Sequence, residues 1–256
     1  MIRRDKNGGW ILIVQHDHAL LSGQIMAKWG NEDFVKPDPC DEVLFAVREH
    51  DSGWGQWDSK PKINPENGYP ANFTEMSPHE QSVIWGECYR SHSSKHSYAS
   101  ALIALHFLKF NGNNLKKDPD NKQLKLLQID IKDFISKELN INISNSNSDV
   151  IPDEIKVNLK MLQIGDIISL ALCHGWRSIE ITETPIDYNG SETTLNIESE
   201  DGFNYTITPY PFDEPYLEFH VTGKNIDRKS FLNDQELRDI IKITKDESLD
   251  FTIRKS

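Results

Sequence analysis

The residues of this chain best suited to chemistry are histidines and carboxylates that fall on apolar helical stripes. Of nine histidines, eight (His16, His18, His50, His79, His92, His96, His106 and His174) lie before residue 178, with His220 beyond it. Imidazole is the commonest ligand for first-row metals, carboxylates complete such sites, and several ligands must converge from different helices. In "FAVREHDSGWGQWD", residues 45–58, an apolar run ends on His50 beside Asp51. A helix turns about 100° per residue, so His50 returns to the inward face of Val43 and Val47. Asp166 falls between Leu162 and Leu170 on a stripe with Ser169 and Cys173, and His18 shares a stripe with Leu21, Ser22, Ile25 and Trp29. A buried carboxylate is costly unless a cation or hydrogen-bond donors compensate it, so Asp166 asks for a partner. His18, His50, Asp51 and Asp166, on the inner faces of three helices, form the expected metal-ligand set. His16, in the run His16-Asp17-His18, is either the true first ligand or a partner that fixes an imidazole tautomer.

Those positions need helices, and the sequence supplies them. A first strand is expected over "WILIV" (10–14), then a helix over 17–29. Asp41 is a plausible N-cap for the helix that ends on His50. "SPHE" (77–80) combines an N-cap Ser, a first-turn Pro and a capping-box Glu, opening a helix to about Arg90. Further helices are expected over 95–110, 124–139 and 152–173, separated by a polar stretch at 111–121 and a Ser/Asn loop, "NINISNSNSD", at 140–149. After Trp176 the pattern alternates, with turn signals at "YNG" (188–190) and "EDG" (200–202), a short helix near 234–241 and a last strand near 249–253. The expected fold class is mainly α. A helical metal-binding domain with an N-terminal strand fills residues 1–178, and a small β-rich appendage over 179–256 packs on it.

The order His18, His50-Asp51, Asp166 resembles the H…HD…D signature of the HD superfamily of metal-dependent hydrolases, whose final Asp is followed three residues later by Ser, here Ser169. More narrowly, "QHDHALLSGQIMAKWG", "REHDSGWGQWD", "PENGYPANFTEM", "LQIGDIISLALC" and "ITPYPFDEP" resemble an uncharacterised bacterial family that is HD-like and has no assigned substrate. The first resemblance implies an HD-domain-like all-helical bundle over residues 17–178 with the metal at its centre. Some HD proteins hold a second metal with two more histidines between the HD pair and the last Asp. His92 and His96 stand at a same-face spacing, and His106 sits among apolar neighbours, which ranks it above His96.

The connection from Ser52 to Ser77 is long for a compact domain. Either it caps the metal pocket, with Trp54 and Trp57 as substrate walls, or the two tryptophans plug the end of the bundle. Arg48, Arg90 and Lys95 are the nearest cations able to hold a substrate phosphate. The bland reading makes His79 a solvated first-turn residue, His174 a helix C-terminal residue and His220 a strand surface residue.

Composition narrows the partners. With 28 basic and 40 acidic residues the formal charge is −12, which disfavours nucleic acid and anionic membranes. Cys40, Cys88 and Cys173 are scattered and read as reduced thiols of a cytoplasmic protein, and no apolar run is long enough for a membrane span. A small-molecule substrate is expected, with a homodimer open. The leading expectation is a phosphohydrolase acting on a small phosphorylated or nucleotide-like substrate. One or two divalent ions (Mn, Fe, Ni, Zn or Mg) would activate a water that Asp51, the catalytic candidate, orients. The alternatives are an HD-like di-iron oxygenase and a non-catalytic metal- or ligand-binding sensor.

Overall fold

Two short strands open the chain, Ile2–Lys6 (β1) and Gly9–Ile13 (β2), paired antiparallel with Ile2 opposite Ile13. The computed structural model describes residues 1–143 and 151–255, so most of the expected Ser/Asn loop lies outside the described residues. Gly8 turns the hairpin at φ 82, a left-handed conformation that glycine adopts without strain. Seven helices follow: Gln15–Met26 (α1), Cys40–Glu49 (α2), Gly55–Asp58 (α3), Pro78–Arg90 (α4), Ser97–Lys117 (α5), Lys122–Leu139 (α6) and Asp153–His174 (α7). Strands Ser178–Pro185 (β3), Glu192–Ser199 (β4), Asn204–Thr208 (β5) and Tyr216–Ile226 (β6), helix Asp234–Ile243 (α8) and strand Asp246–Lys255 (β7) complete the described chain.

The chain does not form a mainly α HD-like helical bundle with a small β-rich appendage. All seven strands join one mixed sheet in the order β1-β2-β6-β7-β5-β4-β3, with β5 and β7 the parallel pair. Both ends of the chain feed that sheet. Its inner face, including Ile2, Ile13, Phe219, Phe251 and Ile253, shares one continuous core with Leu21, Val47, Leu102 and Leu162 of the helices. The opposite face of β2 and β6 is covered by α8, where Trp10, Leu12 and Ile226 meet Phe231 and Leu237. Charge disguised β1 in the sequence. Its inward Arg4 is buried because the guanidinium donates to the carbonyls of Leu172 at 2.6 Å and Gly202 at 2.8 Å, and lies 4.2 Å from the centre of the Phe203 ring.

Local rules explain where the helices begin and how closely they pack. α4 starts on a complete capping box, with Ser77 and Glu80 each accepting from the other's backbone N–H. α5 runs into the polar stretch expected from residue 111, as far as Lys117, where the buried Asn111 donates its side-chain N–H to the Leu124 carbonyl at 3.0 Å and ties α5 to α6. Gly165 lets α7 seat directly on α1 and α2. A Cβ there would stand 2.6 Å from Met26 Cγ, 2.8 Å from Ser22 Oγ and 3.2 Å from Val47 Cγ1. The next residue is Asp166, so this close approach carries its carboxylate to the two histidine-bearing helices.

Candidate metal centre

His18, His50, Asp51, His106 and Asp166 converge where α1, α2, α5 and α7 meet. They are 1%, 1%, 6%, 2% and 7% exposed, respectively. Two triads, His18/His50/Asp51 and His50/His106/Asp166, each place their potential ligand atoms within 4.8 Å of one another, so the cluster could hold a metal ion.

The surrounding hydrogen bonds fix which atom His50 and His18 offer. Val47's carbonyl can only accept, so at 2.7 Å it holds the proton on His50 Nδ1 and turns Nε2 toward the carboxylates. Ser169 Oγ donates to the Asp166 carbonyl at 2.9 Å and therefore accepts from His18 Nδ1–H at 2.8 Å, which turns His18 Nε2 toward Asp51. Asp51 is held in turn. Trp54 Nε1–H donates to Oδ1 at 3.2 Å, and Gln15 Nε2–H donates to Oδ2 at 3.2 Å.

Distances then discriminate between a hydrogen-bonded cluster and a ligand shell. His50 Nε2 stands 3.7 Å from Asp51 Oδ2 and 3.6 Å from Asp166 Oδ1, and His106 Nε2 stands 3.5 Å from Asp166 Oδ2. His18 Nε2 lies 3.2 Å from Asp51 Oδ2 and 3.7 Å from Asp166 Oδ1. Most of these separations exceed the usual limit of about 3.2 Å for an N–H···O bond. Neighbouring ligands on one ion, at bonds of about 2.1 Å, sit roughly 3.0–3.4 Å apart, so the atoms would close by a few tenths of an ångström to share one. His50 Nε2 and His106 Nδ1 are buried with no hydrogen-bond partner among the described residues.

The electrostatics require a positive charge here. Burial pulls His50 down, but Asp51 and Asp166 outweigh it and hold the imidazole at about 9. Burial pushes the Asp166 carboxyl up, yet His50, His106 and His18 keep it at about 2, and Asp51 is likewise held below the usual carboxylate range. For His106 burial prevails over the Asp166 charge and lowers it to about 4, leaving a neutral ring. The two buried carboxylates therefore hold a proton on His50, a place where a divalent cation could supply more charge.

A cavity of about 350 Å³ opens onto the cluster. Trp54, Phe73, Trp85, Phe107 and Phe110 wall it, and Gln81, Asn113, Asn114 and Lys117 stand around it. Trp54 is thus both cavity wall and Asp51 donor. Trp57 lies outside the lining, with Lys62 Nζ 4.7 Å from its ring centre. The other sequence candidates go elsewhere. His16 is half-buried beside Asp17 and does not reach the cluster, which His18 enters instead. α4 ends at Arg90 and α5 begins at Ser97, so His92 and His96 occupy a connection that folds around Phe45 rather than one inward helical face. There His96 Nδ1 meets Glu42 Oε1 at 2.9 Å, and His92 Nε2 meets Ser52 Oγ at 3.3 Å. Arg48 pairs with Glu49 at 3.1 Å, Arg90 with Asp130, and Lys95 is exposed.

Several cavity residues were not among the sequence candidates, yet five carried a signal. Gln15 precedes His18 by three residues on one helical face, and Phe110, Asn113, Asn114 and Lys117 continue the His106 stripe of α5 at helical spacing.

The fold and the site define an α-plus-β protein with a buried histidine–carboxylate centre. A family model matches residues 1–228, and the chain belongs to that family, described as "Protein of unknown function (DUF3891)". No curated protein and no solved structure matches the chain. No helix among the described residues is long and apolar enough to cross a membrane.

Proposed function

We propose that the chain is a metal-dependent hydrolase of HD type, acting on a small phosphorylated or nucleotide-like substrate in the cytoplasm. The observation that carries this reading is His50 Nε2, a buried nitrogen with no hydrogen-bond partner among the described residues, aimed between two carboxylates at 3.7 and 3.6 Å. His18, His50, Asp51 and Asp166 would hold the first ion, and His106, beside Asp166 and sharing a triad with His50, would serve a second. A divalent ion in such a site supplies Lewis-acid activation of water and charge stabilisation at a phosphoryl group.

The protein's own residues do the rest. Ser169 and the Val47 carbonyl set the imidazole tautomers before any ligand arrives. Trp54 and Gln15 fix the Asp51 carboxylate, which orients the reacting water. Aromatic walls line the approach to the centre, and the cavity falls within the size range of small-molecule sites. The H…HD…D order of His18, His50-Asp51 and Asp166 supports the HD assignment.

Metal analysis combined with turnover of bis(4-nitrophenyl) phosphate tests this reading. Mn, Ni, Zn or Mg in the protein with phosphodiester turnover supports it. Two irons with a mixed-valence signal and no phosphoester turnover would point to oxygenase chemistry. A fully loaded site inactive on a broad phosphoester panel would leave a binding or sensor role.

A further inference from the structure

Helix α5 carries His106 into the cluster and then runs on to Lys117. At about 100° per residue, Phe110, Asn113 and Lys117 return to within roughly 40° of His106, and all of them line the same cavity. At about 1.5 Å per residue they stand roughly 6, 10 and 16 Å farther along the helix axis. Three chemistries therefore follow one another outward from the centre. Phe110 is 41% exposed, and its ring stands edge-on to His106 with the ring centres 4.5 Å apart, so accessible apolar surface begins beside a candidate ligand. Amides come next. Asn114 Nδ2–H donates to Gln81 Oε1 at 3.3 Å and ties the rim of the cavity to α4, while neighbouring Asn113 is exposed. Lys117 comes last, exposed, and is the one lysine or arginine that lines the cavity among the described residues.

We infer that this face of α5 selects the substrate, an elongated molecule with a planar ring next to its phosphate and a second anionic group beyond the ring. Phe110 offers the ring a stacking surface, and Lys117 attracts the distal anion. With buried carboxylates at the floor and an ammonium at the rim, the distal anion is drawn outward, which sets the direction in which the molecule enters. The place of the phosphate rests on the metal reading above, whereas the ring and the distal anion rest on the cavity alone.

The test is calorimetric binding of three non-hydrolysable phosphonates to the full chain loaded with Mn²⁺: methylphosphonate, biphenyl-4-ylphosphonate and 4′-carboxybiphenyl-4-ylphosphonate. Wild type, Phe110→Ala and Lys117→Gln are compared, with manganese content measured on the same samples. Wild type should bind the biphenylyl compound about tenfold more tightly than methylphosphonate, and the carboxylate should add about threefold, as a solvent-exposed ion pair does. Phe110→Ala should lose most of the ring's gain, Lys117→Gln only the carboxylate's, and both should hold methylphosphonate as wild type does. Equal wild-type affinities for methylphosphonate and the biphenylyl compound overturn the inference even if Phe110→Ala fails to fold. So does a carboxylate gain that is absent from wild type or survives Lys117→Gln, or a ring gain that survives Phe110→Ala. Manganese bound with no phosphonate binding also overturns it. Ring and carboxylate gains that depend on Phe110 and Lys117 but occur without bound manganese support it and overturn the metal reading alone.

Discussion

Ser169 Oγ lies 2.8 Å from His18 Nδ1, one turn along α7 from Asp166, whose carbonyl takes the hydroxyl proton at 2.9 Å. One hydroxyl thereby decides which nitrogen of His18 faces the carboxylates. Ser169→Ala leaves His18 free to flip its tautomer. Manganese affinity measured by calorimetry should fall roughly 10–100-fold, with about 1–2 kcal/mol lost from folding. An affinity within twofold of wild type would show that the hydroxyl does not set the ligand.

Gly165→Ala tests how the site is brought together. The added methyl meets Met26, Ser22 and Val47 at sub-contact distances, so α7 must move off α1 and α2. Denaturant unfolding should show a loss of about 1–3 kcal/mol. Metal affinity should fall with it, because Asp166 moves with the helix backbone. Unchanged stability would mean that the three side chains yield without cost.

Trp54 and Trp57 are neighbours in sequence with different predicted roles. Trp54→Phe keeps a ring in the cavity wall and removes the donor to Asp51 Oδ1, so metal affinity should drop several-fold. Trp57→Phe, outside the lining, should leave metal binding unchanged. Equal effects of the two substitutions would contradict the assignment.

The pH dependence of the metal-free protein follows from the shifted groups. His50 is raised from 6.5 to about 9, so its contribution is complete below 6.5 and lost as pH rises through 9. Asp166 is lowered from 3.8 to about 2, so its contribution is present above 3.8 and lost as pH falls toward 2. His106, lowered to about 4, adds a further loss as pH falls from 6.5 to 4, because only the unfolded chain takes up that proton. Chelator-treated protein should therefore lose on the order of 2–3 kcal/mol between pH 6.5 and 9, read from urea midpoints. With manganese bound the alkaline loss should disappear, since the ion replaces the His50 proton. A metal-free midpoint flat from pH 6.5 to 9 would show that the carboxylates do not hold that proton.

The parts of the site legible in sequence were those that obey helical periodicity. Val43, Val47 and His50 share an inward face, and so do His18 with Leu21 and Ile25, and Asp166 with Leu162 and Ser169. His16 failed to reach the cluster because the two steps that separate it from His18 rotate a side chain by about 200°, to the other side of the helix. The sheet was misjudged because β1 hides its alternation behind charge, although Asn7-Gly8 is a strong hairpin signal and Arg4 behaves as an inward residue. Gly112 and three asparagines made the second half of α5 read as loop. The buried bond from Asn111 to Leu124 overrides that propensity, and with it went Asn113, Asn114 and Lys117, whose helical spacing from His106 counts only once the helix continues past Phe110. The joining of chain ends in β2–β6 and β6–β7 is long-range pairing, which no window of sequence contains.

The central claim is that His18, His50, Asp51 and Asp166 hold a divalent ion. Its most direct test is metal content by mass spectrometry after chelation, reloading and desalting, for wild type, His16→Ala, His50→Ala and Asp166→Ala. Wild type and His16→Ala should retain at least one ion per chain, and His50→Ala and Asp166→Ala should retain none while remaining folded by circular dichroism. Undiminished metal in both His50→Ala and Asp166→Ala would contradict the account.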